Sequence, residues 1–175
     1  MKSIEKNGMY FISGIKEIIL SVGGEFNDPK ERPIVALLQS VENENIYWAI
    51  PVGDYSHRTE SQIERIESYI NRPADDIGSC YYHIARTNIK SIFFISDVYP
   101  INSSLISREY FSNDSQHYII KNKPLLSALD SKLKRVLAYE QARLKSDNKF
   151  YFRQNIFGIL NSLITKSKEE ISNGN

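Results

Sequence analysis

Long apolar runs are missing from this 175-residue chain: nothing approaches the roughly 18 uninterrupted apolar residues of a membrane helix. The opening Met1-Lys2-Ser3-Ile4-Glu5-Lys6 has no apolar core of the signal-peptide kind, so a cytoplasmic location and no membrane partner are expected. Cysteine is limited to Cys80, which excludes an internal disulfide and fits a reducing compartment. Histidine is scarce too, at three residues, and no His/Cys/Asp group has zinc spacing. There is no Gly-x-x-x-x-Gly-Lys loop either. A metal nuclease and a nucleotide hydrolase therefore both lack their machinery, and no metal or cofactor is expected. Repeats, low-complexity tracts and linkers are absent. A single domain over residues 1–175 follows, with a polar tail expected to fray from about 167. Such a chain buries roughly two-thirds of its unfolded surface.

Charge of one sign is also lacking overall, the formal net being +1, but its distribution is uneven. Residues 121–153 carry Lys121, Lys123, Lys132, Lys134, Arg135, Arg143, Lys145, Lys149 and Arg153 against Asp130, Glu140 and Asp147, a net of +6. The remainder, with 13 basic and 18 acidic residues, stands at −5. A basic face for a polyanion accounts for this, and so does a pair of solvated, lysine-rich helices.

Residues 9–13 read as a first short strand, while 15–22 is apolar without a decisive period. Segments 33–41 and 46–52 are apolar strands, and the polar link Glu42-Asn43-Glu44-Asn45 between them is a hairpin signal. Thr59 with Gln62 forms a capping box ahead of Ile63, Ile66, Tyr69 and Ile70 at helical spacing. Strands are expected over 80–85 and from Ser91 towards Pro100, then loop and a short helix over 102–113. An amphipathic helix over 124–145 places Leu125, Leu126, Leu129, Leu133, Val136, Leu137 and Leu144 on or near one face. A last helix runs from about 150 to 166. Hairpin-linked strands with attached helices predict an α+β domain built on a small, mostly antiparallel barrel or curled sheet.

The richest stretch is Gly53-Asp54-Tyr55-Ser56-His57-Arg58-Thr59, directly after the second apolar strand. It gathers the groups that handle a phosphodiester without a metal, just ahead of a helix N-terminus whose N–H groups favour an anion. Among these side chains the imidazole is the type that exchanges a proton near neutral pH. A polar surface turn explains the same residues at about equal weight.

In order and spacing the chain resembles the ToxN/AbiQ family of toxins, the protein halves of type III toxin–antitoxin systems, most closely its CptN-like branch. Tyr10-Phe11-Ile12-Ser13 resembles the family's Tyr-x-Ile-Ser first strand, and Arg32 stands where a basic residue precedes a strand. Tyr47-Trp48-Ala49-Ile50-Pro51-Val52 is similar to the Tyr-x-Ala-Pro-Leu strand that leads into the active-site loop. Phe93-Phe94-Ile95 with Val98-Tyr99-Pro100-Ile101, and the helix bearing Leu129, Lys132, Arg135 and Gln141, complete the pattern. Where ToxN-type members have Thr-Ser-Pro-Lys, this chain has Gly53 to Arg58, so the serine–lysine pair does not carry over.

The resemblance implies a bacterial, metal-independent, sequence-selective endoribonuclease with a fold related to the MazF/Kid toxins. It also implies inhibition by a small structured antitoxin RNA, a pseudoknot, in a closed protein–RNA hetero-oligomer, with cellular or phage RNA as substrate.

On that reading RNA is cut by its own 2′-hydroxyl, leaving 2′,3′-cyclic phosphate and 5′-hydroxyl ends. His57 is the candidate acid or base, with Arg58 and Arg32 on the phosphate oxygens. Ser56, Asp54 and Tyr10 complete the catalytic set. Lys30, Thr59, His83 and Lys90 are candidate RNA contacts near the site, with His83, Lys90 or Ser91 as a second proton handler. A structural histidine is the competing reading of His83. Lys132, Lys134, Arg135, Tyr139, Arg143, Lys145, Lys149 and Arg153 form the candidate antitoxin-RNA face. The rivals are a non-catalytic RNA-binding or adaptor module using the basic helices, and a protein-interaction domain.

Overall fold

The structure, a computed structural model, describes residues 3–26, 32–152 and 154–173. Its backbone is one seven-stranded antiparallel sheet with four α-helices. Strand β1 (Met9–Ile12) is followed by helix α1 (Ile15–Ser21), then by the hairpin β2 (Ile34–Gln39) and β3 (Tyr47–Asp54). The stretch without a decisive period is thus helical, burying Ile15, Ile18 and Ile19, and Gly14 before it has a φ of 74°. Helix α2 (Glu60–Ile70) leads to β4 (Tyr82–Arg86), β5 (Lys90–Phe94), β6 (Tyr99–Ile101) and β7 (Ile106–Glu109). Long helices α3 (Lys123–Asp147) and α4 (Ile156–Asn173) close the chain.

The strand order is β4-β5-β3-β2-β1-β7, with β6 beside the first half of β3. Among the described residues its ends do not pair, so of the two expected forms, barrel or curled sheet, the sheet takes the second and stays open. The sheet curls enough for the β4–β5 turn to reach the segment after β7, where Asn88 Nδ2 donates to Tyr110 Oη at 3.1 Å. Strand β3 has β2 on one edge; on the other, β6 pairs with Tyr47 to Ala49 and β5 with Val52 to Asp54. Proline is tolerated inside this central strand for a local reason. Val52 N–H donates to Pro33 O, so position 51 turns the opposite way. Its missing N–H faces the gap where β6 gives way to β5.

The main core lies between the sheet and the long helices. Leu125, Leu129, Leu133 and Val136 of α3 and Ile156, Ile159, Leu160 and Leu163 of α4 are buried there, and Trp48 meets Phe157 edge-on at 5.6 Å. A smaller cluster of Ile66, Ile92 and Phe94 lies under α2 on the sheet's other face.

Several boundaries differ from the sequence reading. Strand β7 occupies part of the segment expected as loop and short helix; Ser103–Leu105 is a 3₁₀ turn before it. Four residues paired to one neighbour are too few to leave a period-two signature. Cys80 closes a 3₁₀ turn, Ile77–Cys80, and at 1% exposure is a core residue. Helix α4 starts at Ile156 and continues through the expected tail to Asn173. The break after α3 is made by Asn148, which takes the left-handed conformation at φ 52°. Among the described residues no helix is long and apolar enough to cross a membrane.

Candidate functional site

The predicted loop divides between strand and turn. Gly53 and Asp54 end β3, paired with Ile92 and Ser91 of β5, and Tyr55–His57 form one 3₁₀ turn. Arg58 then runs extended into Thr59, whose side chain accepts from Gln62 N–H while Gln62 Oε1 accepts from Thr59 N–H. The capping box sets the helix direction, and the strand fixes the other end. The residues between are held from both sides.

Asp54 organises the turn. Ser56 N–H and Oγ–H both donate to Asp54 Oδ1 at 2.7 Å, and Asp54 Oδ2 lies 3.8 Å from His57 Nε2. The Ser56 side-chain hydrogen bond, then the backbone one, holds the Asp54 carboxyl below its usual range. His57 itself is 79% exposed. Ser56 is therefore a strut for Asp54 rather than a group facing a ligand.

The guanidiniums of Arg32 and Arg58 converge on one ring: their Cζ atoms lie 5.3 and 5.2 Å from the Phe94 centroid. Gly53 makes this approach possible. A Cβ there would stand 2.7 Å from Arg58 Nη2 and 2.8 Å from Phe94 Cε2. Arg32, Asp54, His57 and Arg58 all line a cleft of about 460 Å³, whose lining also includes Thr87, Asn88 and Ile89 of the β4–β5 turn, Ser91 and Tyr110. Two cations, a carboxylate–imidazole pair and a mixed polar–apolar lining suit an anionic ligand with an attached ring.

No family model and no curated protein matches the chain. The site is read on its geometry.

Other sequence candidates lie elsewhere. Tyr10 is 4% exposed, accepts from Glu5 N–H at 2.8 Å, packs against His117 at 4.7 Å and lines a separate cavity beside β7. His117, expected at the surface, is 14% exposed with Nε2 3.0 Å from Met9 O, and ties its loop to β1. His83 pairs with Phe93 away from the cleft, and burial followed by Lys132 pushes its pKa down. Thr59 is spent on the cap. Lys90 is exposed with Nζ 3.5 Å from the Tyr55 ring centroid, and Ser91 shares a 3.0 Å hydroxyl contact with Thr87.

Several of the basic-face cations are engaged within the fold. Lys132 Nζ donates to Tyr82 O at 2.8 Å, and burial lowers its pKa. Lys134 pairs with Asp130 at 2.7 Å and Arg143 with Asp147 at 3.0 Å. Arg135, Lys145 and Lys149 are exposed, while Lys30 and Arg153 lie outside the described residues. Tyr139 meets Tyr151 edge-on at 5.0 Å. Sequence reasoning missed Thr87, Asn88, Ile89 and Tyr110 of the cleft lining, and Phe94, the ring on which the two arginines meet. Thr87-Asn88 between two apolar segments is a hairpin signal, but nothing local shows that its tip reaches across the sheet.

Proposed function

We propose that this chain is a metal-independent endoribonuclease toxin of a type III toxin–antitoxin system, with a fold of the MazF/Kid kind. The observation that carries the reading is the convergence of Arg32, Arg58, Asp54 and His57 on one cleft. The open antiparallel sheet with flanking helices is compatible with it.

In this mechanism the scissile phosphate lies against the two guanidiniums, which offset charge building on phosphorus. The RNA's 2′-oxygen forms a new bond to phosphorus as the bond to the 5′-oxygen breaks. His57 exchanges a proton with one of these oxygens, and water at the open rim serves the other. Asp54, kept anionic by Ser56, lies 3.8 Å from His57 Nε2 and orients the imidazole. A structured antitoxin RNA binds the exposed cations Arg135, Lys145 and Lys149 and closes the hetero-oligomer; cellular or phage RNA is the substrate.

A binding module without cleavage is the second reading. It is favoured by a ladder in which Arg72 covers Tyr69 at 4.0 Å, Tyr69 stacks on Tyr81 at 5.2 Å, and Tyr81 Oη reaches Tyr151 Oη at 3.4 Å. Cleavage of a long RNA in excess EDTA, wild type beside His57→Ala with ends mapped, separates the two. The nuclease gives discrete cuts with 2′,3′-cyclic phosphate ends that the variant loses. Binding with no cutting by wild type overturns it.

A further inference from the structure

The proposed mechanism uses only part of the cleft lining. The same lining includes the β4–β5 turn, whose most polar group is the Asn88 carboxamide. Its Nδ2 donates to Tyr110 Oη at 3.1 Å and its Oδ1 accepts from Thr87 Oγ1 at 3.1 Å. A carboxamide has two N–H groups and two lone pairs, so these bonds fix its plane while using half its capacity.

The supports of Asn88 are themselves fixed. Thr87 N–H donates to Ile89 O at 2.8 Å across the turn, and Thr87 Oγ1 lies 3.0 Å from Ser91 Oγ. The Tyr110 ring is packed against Phe11 at 5.8 Å and Tyr118 at 6.2 Å, and the Tyr118 hydroxyl sits beside Thr87 and the Asn88 backbone. Ile89, 40% exposed, adds an apolar side chain to this part of the lining. A held amide beside an aromatic ring and an aliphatic side chain is what an unstacked nucleobase requires: a face to lie on, and a donor and acceptor for its edge.

We infer that Asn88, positioned by Tyr110, forms a base-reading subsite for the nucleotide whose phosphate lies against Arg32 and Arg58 in the same cleft. The inference rests on the proposed function for its context and names a specificity-determining residue for the same site. At about 460 Å³ the cleft is of the size that takes one small ligand, phosphate and base together. An amide matched to a base edge discriminates between bases by roughly tenfold. Asn88 therefore sets which base lies next to the cut, while the arginines bind any nucleotide.

The test is binding to the full-length chain by calorimetry, using inorganic phosphate, ribose 5-phosphate and the four nucleoside 3′-monophosphates. Wild type is expected to bind one nucleotide roughly tenfold tighter than the others. Asn88→Ala should level the four while binding inorganic phosphate as wild type does. Tyr110→Phe keeps the ring, removes the oxygen that holds the amide, and should reduce the preference in a folded protein. Four equal affinities in wild type, or a preference that survives both variants, overturns the inference. Absence of RNA cleavage by wild type overturns the nuclease reading and leaves this binding result standing.

Discussion

Gly53→Ala is the sharpest probe of the cleft, because it changes one hydrogen to a methyl at a residue with no chemistry of its own. The new carbon would stand 2.7 Å from Arg58 Nη2 and 2.8 Å from Phe94 Cε2. The ring cannot retreat far, since Phe94 is 7% exposed and packed with Ile66 and Ile92. The guanidinium, at the end of a flexible chain, moves instead. Losing its place over the ring costs about 0.5–1 kcal/mol. Residual crowding of the ring adds about 1–3 kcal/mol of destabilisation. Displacing a phosphate-binding group by an ångström costs on the order of a hundredfold in rate. Removing it outright in Arg58→Ala costs about a hundred- to a thousandfold. The assay is the initial rate of RNA cleavage in EDTA, with thermal unfolding to show that each variant remains folded. If Gly53 acts through Arg58, the double variant matches Arg58→Ala alone, the non-additivity expected of residues in contact. A fully active Gly53→Ala, or losses that multiply in the double variant, refutes the reasoning.

Two further outcomes concern the frame. Glu140 has 0% exposure; its carboxylate accepts from Tyr151 N–H at 2.9 and 3.0 Å and from Phe152 N–H at 3.3 Å. Glu140→Ala should lose about 2–5 kcal/mol in denaturant titration, by leaving these donors unpartnered in the interior. Burial raises the Glu140 pKa, against the lowering effect of those bonds, so its folded form holds a proton to higher pH than its unfolded form. Its contribution is then fully present below the ordinary glutamate range and falls as pH rises through the raised value. Wild-type stability relative to Glu140→Gln should therefore decline upward from about pH 4.3, and a constant difference contradicts the assignment. Thr59→Ala removes the oxygen that caps α2 and should cost about 1 kcal/mol. Because that cap also directs Arg58, thermal unfolding and phosphate binding should weaken together.

The sequence legibly marked what local chemistry dictates. The β2–β3 hairpin, the capping box and the buried face of α3 all follow from turn residues and periods within a few neighbours. The grouping of Asp54, His57 and Arg58 follows from their adjacency, and Arg32 joins them through the β2–β3 pairing. Long-range closure left no such mark. Tyr10 shares its strand with Met9, but its side chain is claimed by Glu5 and His117, which no spacing reveals. Lys132 and Lys134 read alike as cations on one helix, yet one caps a strand carbonyl and the other pairs with an aspartate. Asn88 belongs to the cleft because the sheet curls, and curl is a property of the whole sheet rather than of any segment.

The division of the interior into two clusters bears on how the protein opens. Arg32 precedes β2, a strand of the main core, whereas Arg58 belongs to the turn leading into α2, which buries Ile66 against Ile92 and Phe94 and lays Tyr69 on Tyr81. A helix held by so few buried side chains is the natural site of sub-global opening, well below the cost of unfolding the whole. Both cations nevertheless meet on Phe94. An anion bound between them would tie α2 to the strands of the main core, so that occupancy of the cleft and amide protection of α2 are expected to rise together.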